Sequence, residues 1–273
     1  MAPTPIHDKM IDHSFAVMAY EDSPYLSECL DSLKKQTVES VIYISTSTPS
    51  TYITEIAKKY GIEVFVTEPG LGIANDWNFS VQMAKTKYVT LAHQDDTYIP
   101  RYAECCFNAA EKFKDTLICF PNYEELVNGK NRTGTLLLII KQFILFFFMP
   151  IKKNLHNKYW KKYFLSFGSA IPCPAVMYNM ENLREFLFAH EYSINLDWDA
   201  WLRMAMMKGR FVYVSSALMK HRIHAESATT VGLKDNARQN EDLKMFSRIW
   251  PYFIAKILSK FYSSGYKSNV VEK

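Results

Sequence analysis

Glycine is scarce, 9 residues in 273, and the turn after the first apolar run, "AYEDSPY" at 19–25, holds none. A GxGxxG turn or a P-loop needs glycines there to let the backbone close on a pyrophosphate. Nicotinamide, flavin and P-loop chemistry are therefore excluded. The five cysteines (Cys29, Cys105, Cys106, Cys119, Cys173) are odd in number and form neither a CxxC pair nor a zinc spacing, so reduced thiols in a cytoplasmic setting are expected. The net charge of +4 is too mild to call for a nucleic-acid partner. The polar opening "MAPTPIHDKMIDHS" predicts no secretory signal. "LLLIIKQFILFFFM" at 136–149 is broken by Lys141 and Gln142, too short and too polar at its centre to span a bilayer.

What is present suits a globular chain: 48% of residues are hydrophobic, and no internal repeat or low-complexity segment interrupts them. Short apolar runs at 14–20, 41–45, 62–66, 88–92 and 116–120 alternate with helical patterns at 24–36, 51–60, 72–85 and 100–114. In the first helix Tyr25, Leu26, Cys29, Leu30 and Leu33 share one face. Strand and helix in alternation predict an α/β fold with a mostly parallel sheet covered on both faces. Beyond about residue 125 the pattern changes to helices near 181–189 and 197–208, a strand "RFVYVSS" at 210–216, a polar loop "KHRIHAESATT", and helices near 234–247 and 251–262.

Three clusters carry candidate chemistry. "HQDD" at 93–96 ends the fourth predicted strand, the end at which ligands bind in such sheets. Adjacent aspartates there suit a hard cation such as Mg²⁺ or Mn²⁺, or else a solvated turn and helix cap. In "NLDWDAWLRMA" Asp197 starts a helix, as a cap or as a carboxylate that accepts a proton from an incoming hydroxyl. In "HRIHAES" His221, Arg222 and His224 form a polar surface loop or a cationic, metal-ligating arm over phosphates.

Taken in order over residues 14–230, these pieces resemble a family 2 glycosyltransferase with the GT-A fold, of the bacterial surface-polysaccharide type. "FAVMAYEDSPYLSECLDSLKKQT" is similar to the family's opening nucleotide-binding strand and helix, "NDWNFSVQMAKTKYVTLAHQDD" to its helix, strand and DXD-type motif, "LDWDAWLRMA" to its acidic acceptor motif, and "HRIHAES" to its late Arg-x-His loop. The resemblance implies an inverting transfer from a nucleoside diphosphate sugar, a UDP-sugar foremost, to a glycan hydroxyl, with Mn²⁺ or Mg²⁺ as cofactor. It implies Asp197 as general base, Asp95, Asp96 and His224 at the metal, and Ala19, Tyr20, Thr46, Asn75, Asn78, Asp95 and Arg222 at the donor. The aspartate that usually contacts the nucleobase is missing, since Ser45, Thr46 and Ser47 occupy its place, and Leu196 replaces the first acid of the acceptor motif.

The expected organisation is a GT-A domain over 1–232, with a nucleotide-sugar half at 14–125 and an acceptor half at 126–232, then a C-terminal helical segment at 233–273. The lysines after residue 150 and the apolar face of 249–262 suit helices lying in an anionic interface, which would put the protein on the inner face of the cell membrane with a lipid-linked acceptor. Core packing or contact with a second copy is the other reading of these segments. A non-catalytic, membrane-associated glycan or nucleotide binder on the same scaffold is the alternative function.

Overall fold

The computed structural model describes residues 10–132, 136–149, 153–224 and 237–264. β1 (Met10–Ala19), α1 (Leu26–Lys34), β2 (Glu39–Thr46), α2 (Thr51–Tyr60), β3 (Glu63–Val66), α3 (Ile73–Gln82) and β4 (Tyr88–His93) form the alternating half that the sequence predicts. Local chemistry sets their ends. Ser50 accepts a hydrogen bond from the Ile53 amide at 3.2 Å to start α2, and Gly61, at φ 63°, closes it in the left-handed region. α1 buries Leu26, Cys29, Leu30 and Leu33, but Tyr25 precedes the helix and turns away from that face.

The remaining elements are β5 (Thr97–Tyr98), α4 (Tyr102–Ala110), β6 (Thr116–Val127), β7 (Lys130–Arg132), α5 (Leu136–Phe148), β8 (Asn154–Leu155), α6 (Lys158–Phe164), β9 (Met177–Asn179), α7 (Leu196–Met206), β10 (Arg210–Ile223), α8 (Ala237–Ser247) and α9 (Tyr252–Ser264). One sheet runs in the order β3-β2-β1-β4-β9-β6-β10-β5, with β7 beside β6 and β8 beside β10. The pairs β3–β2, β2–β1, β1–β4 and β6–β10 are parallel, while the short β9 joins the two halves antiparallel to both neighbours. Helices cover the sheet, giving an α/β fold of the expected kind.

Two expectations are corrected. β10 does not stop at 216. Register shifts between Val214 and Met219 re-aim the strand, and it continues to Ile223, so Lys220, His221 and Arg222 are strand residues and not part of a loop. Residues 225–230, the remainder of that expected loop, lie outside the described residues. No helix forms at 181–189, because side chains hold that backbone in turns. Asn182 donates to the carbonyls of Lys114 and Thr116, and Asn78 brackets Phe188, accepting from its amide at 2.7 Å and donating to its carbonyl at 3.0 Å.

α8 and α9 form where expected and pack onto α7: Trp198 meets Phe246 and Tyr262 at ring separations of 4.9 and 5.9 Å, and Trp250 donates to the Ser166 carbonyl. Residues 233–236 and 265–273 of that segment lie outside the described residues.

A tight corner joins α7 to β10. Gly209 has φ 136°, and a Cβ there would lie 2.6 Å from the Asp115 carbonyl and 2.7 Å from the Leu117 side chain. The buried Lys161 ammonium donates to the carbonyls of Met207 and Gly209, both at 2.8 Å, fixing the same corner. Gly209→Ala is expected to cost about 2 to 4 kcal/mol, since backbone strain and overpacking add. Urea denaturation measures this, and a loss below about 0.5 kcal/mol would show that the corner relaxes freely.

Candidate active site at the carboxyl end of the sheet

β4 delivers the His-Gln-Asp-Asp segment to the sheet's carboxyl edge, where each residue takes a different job. Gln94 clamps the end of β1, accepting from the Tyr20 amide at 3.2 Å and donating to its carbonyl at 2.7 Å. Both backbone groups of Tyr20 are thereby spent, leaving the exposed ring as its contribution to a donor site, while Ala19 beside it is buried. His93 turns inward beside Trp77, its Nε2 buried without a partner, and burial lowers its pKa.

Asp96, expected as a direct metal ligand, is only 1% exposed and is occupied by β10. Its Oδ1 accepts from the Arg222 amide at 2.8 Å and lies 3.1 Å from His221 Nδ1. A buried carboxylate costs several kcal/mol unless it is paired, which is why the strand end is drawn onto it. Asp96 therefore anchors the arm and is turned away from any cation in front of the sheet.

Asp95 faces outward. Its Oδ1 accepts from the Ser23 hydroxyl at 3.1 Å and its Oδ2 meets His224 Nε2 at 3.0 Å, the aspartate and histidine side chains remaining 24% and 17% exposed. Burial works against its charge, but the hydrogen bond and charge of His224, with His93 and Ser23, hold the Asp95 carboxyl below its usual pKa. Arg222 locks this corner: it donates to the Asp95 carbonyl at 2.9 Å and to Glu28 at 2.6 Å, and its guanidinium lies 4.2 Å from the centre of the Tyr25 ring. Ser23 and Tyr25, in the turn before α1, and Glu28, in its first turn, were missed in the sequence because helix periodicity says nothing of which residues the ends of β4 and β10 will meet.

An anionic oxygen and an imidazole nitrogen, adjacent and accessible, fit a hard or borderline divalent cation. Among the described residues no group of three or more His, Cys, Asp or Glu is arranged around one point. Two protein ligands with the remainder from a diphosphate is the usual provision for Mg²⁺-type ions.

At the end of β2 the three hydroxyls are buried and engaged. Ser45 bonds Ser80, Thr46 Oγ1 accepts from the Thr48 amide at 3.0 Å, and Ser47 donates to Asp76 at 3.1 Å. Thr46 is thus buried, with its hydroxyl oxygen already accepting a bond from its own turn. A carboxylate does stand here, but α3 brings it: Asp76 is half-buried, burial raises its pKa against the Ser47 hydrogen bond, and its Oδ1 has no partner. Asn75 lies in the same turn and reaches Thr67 at 3.5 Å. Asn78, expected at the donor, spends both ends of its amide on Phe188 instead.

Asp197 opens α7, its Oδ1 accepting from the Trp198 amide at 2.6 Å. Burial raises its pKa, countered by Arg238 and Lys141. The Cys173 thiol is pushed up by its burial and by the charges of both Asp197 and Asp96. Lys141, the polar break in the apolar run, points inward and donates to the Tyr123 hydroxyl at 3.1 Å; Tyr123 in turn packs 6.5 Å from the His221 ring. α8 fixes the start of α7: Glu241 accepts from the amides of Ser193, Ile194 and Asn195 at 2.8 to 2.9 Å, and Asp242 accepts from Asn195. Asp199 is buried and paired with Arg203 and Arg248, a structural role.

Comparison with known proteins matches the family model "Glycosyl transferase family 2" to residues 14–172. An uncharacterized glycosyltransferase of Methanocaldococcus jannaschii is 26% identical over 216 residues, which cover 76% of this chain and 69% of the relative. S. aureus TarS residues 1–349, solved in complex with UDP-GlcNAc, superpose with a TM-score of 0.60 at 12% identity over 94% of this chain and 73% of that one. A longer TarS structure is spanned to 44% of its length. The mannosyltransferase PcManGT of Pyrobaculum calidifontis, in complex with GDP-Man and Mn²⁺, gives a TM-score of 0.60 at 12% identity over 99% of this chain and 79% of that one. At such identities the solved structures speak for the fold, which is GT-A.

The His221–Asp96 contact makes stability depend on pH. Burial opposes the imidazolium, but the Asp96 charge and hydrogen bond outweigh it and raise the His221 pKa above 6.5. A raised pKa means the folded state holds the proton more tightly, so the contribution is complete below 6.5 and is lost as pH rises through the folded value. The stability gap between wild type and His221→Gln, taken from urea melts, is expected to be widest below pH 6.5 and to narrow above it. A gap that is flat or widens with pH would contradict the pairing.

Proposed function

The chain belongs to glycosyl transferase family 2 and is a glycosyltransferase, and from that premise we propose a metal-dependent, inverting transfer of a sugar from a nucleoside diphosphate to a glycan hydroxyl. One observation carries this reading. Asp95, at the carboxyl end of β4, faces outward with its Oδ2 3.0 Å from His224 Nε2 and is held below the usual range by its partners, while Asp197, in the first turn of α7, is raised by burial. Environments that drive two acids apart assign them different tasks.

Asp95 and His224 are the residues that would hold a divalent cation, which when bound neutralises the diphosphate and eases its departure. PcManGT with GDP-Man and Mn²⁺ supports that assignment, and TarS with UDP-GlcNAc supports a donor of the same class. Arg222 stands beside Asp95 with its charge shared by Glu28 and lies within reach of a phosphate that displaces that carboxylate. Asp76, with its unpartnered oxygen beside Ser47, takes the place of the missing base contact, with Asn75 and the Tyr20 ring near it.

Asp197 accepts the proton of the acceptor hydroxyl. The hydroxyl oxygen then bonds to the anomeric carbon as the bond from that carbon to the β-phosphate oxygen breaks, and the nucleoside diphosphate leaves with the electron pair. The acceptor is proposed to be a lipid-linked saccharide of surface-polysaccharide synthesis at the inner face of the cell membrane.

A thermal-shift and nucleotide-release screen against UDP, GDP, dTDP and CMP sugars, with and without Mn²⁺, tests the reading. Metal-dependent stabilisation with nucleotide release is expected, whereas a binding protein would release none. Asp197→Asn should lower kcat by about 10² to 10⁴ with donor affinity nearly unchanged, and Asp95→Asn should abolish the metal dependence of donor binding. Transfer within about threefold of wild type for Asp197→Asn, or donor affinity lost with it, would remove Asp197 from the base role.

A further inference from the structure

Thirteen of the twenty exposed large apolar side chains among the described residues lie on three helices or, for Phe167, three residues past the end of one of them. On α5 they are Ile139, Ile140, Phe143, Phe146 and Phe147, spaced as one helical stripe, with Phe146 73% exposed. On α6 and just after it they are Tyr159, Trp160, Tyr163 and Phe167, and on α9 Tyr252, Phe253, Ile257 and Phe261. Ring contacts make the patch continuous: Phe148 of α5 meets Trp160 of α6 at 6.1 Å, and Phe167 meets Trp250, ahead of α9, at 5.8 Å.

α5 is inside out. Its Lys141 points inward to Tyr123, while its phenylalanines face solvent opposite the buried Leu138 and Leu145. A helix apolar on both faces belongs in a large core or against hydrocarbon. Patches of this kind mark interaction sites in soluble folds.

Charge identifies the occupant. No aspartate or glutamate occurs from residue 126 to 180 or from 243 to 271, and all three helices fall within those stretches. Lys158 stands on α6, and Lys256 and Lys260 flank the apolar stripe of α9, all exposed. A second copy seated on this face would set lysine against lysine with no carboxylate to answer them. Anionic phosphates above a hydrocarbon layer answer both features at once: the lysines reach the headgroups, and the tryptophan and tyrosines sit at their level. No helix among the described residues is long and apolar enough to cross a membrane. We propose that the α5–α6–α9 face is a seat for the surface of an anionic phospholipid bilayer, entered to the depth of the aromatic rings and not crossed.

Flotation of the full chain with vesicles tests this independently of sugar transfer. The protein is expected to float with phosphatidylcholine–phosphatidylglycerol vesicles, less with phosphatidylcholine alone, and less as salt is raised. Phe143→Glu on α5 and Phe253→Glu on α9 should each lower the partition coefficient about tenfold or more. The Lys256→Gln/Lys260→Gln pair should lower it about fivefold per lysine at low salt. Melting curves identify any variant that fails to fold, and the substitutions on different helices make one such failure harmless. Absence of flotation, equal binding to neutral and anionic vesicles, or a dimer in light scattering that Phe143→Glu dissolves while vesicles are ignored would each overturn the proposal.

Discussion

The site depends on one buried anion. Asp96 is sealed at the end of β4, and among the described residues the hydrogen-bond partners of its carboxylate are the backbone of Arg222 and the ring of His221, which come from a strand 125 residues further along the chain. To bring them there β10 must run past its expected end and shift register between Val214 and Met219. Once Asp96 holds that strand, the rest follows by covalent geometry. Arg222 is presented to the Asp95 carbonyl, Glu28 and Tyr25, and His224, two residues on, meets the outer carboxylate. The twin aspartates thus divide the work: one spends its charge on the fold, and the other keeps its charge at the surface. That division removes the repulsion adjacent carboxylates would otherwise feel, because their partners face opposite ways.

The same logic organises the far side. α7 begins with two aspartates of opposite fate. Asp199 is neutralised by Arg203 and Arg248, and Asp197 is left with a backbone amide and more distant cations. Glu241 holds the three amides ahead of the helix, where the helix dipole favours an anion. Removing that helix and the Arg248 that follows it would leave these amides without their acceptor and Asp199 with Arg203 alone, so the C-terminal helices belong to the fold that positions Asp197.

How much of this the sequence made legible follows from the range of each interaction. The alternating half was readable because strand and helix periods are local, and the Ser50 cap and Gly61 stop act within four residues. The clusters at 93–96, 197–199 and 221–224 were visible as chemistry, and the structure joins the first and the third at the end of β4. Their division of labour was not visible. Whether Asp95 or Asp96 faces outward depends on a partner 125 residues away. Whether Asn78 touches a donor depends on Phe188, 110 residues away. The expected helix at 181–189 failed for a related reason: local apolar spacing is outweighed by Asn182 bonding to carbonyls 66 and 68 residues upstream. The carboxylate that stands at the end of β2, Asp76, was hidden because it comes from another element, α3.

α5 links the two ends of the molecule's chemistry. Its Lys141 faces inward, within electrostatic range of Asp197, Tyr262 and His221, and its opposite side is the exposed phenylalanine stripe. A helix with its side chains is about 10–12 Å across. A bilayer seated on that stripe would therefore lie roughly one helix diameter from the inner face of α5, where Lys141 meets Tyr123. An acceptor tethered to lipid needs no long excursion to span that distance, whereas a freely soluble one would gain nothing from it. On the proposed reading, the inward lysine and outward phenylalanines of one helix would link the acceptor end of the site to the membrane seat.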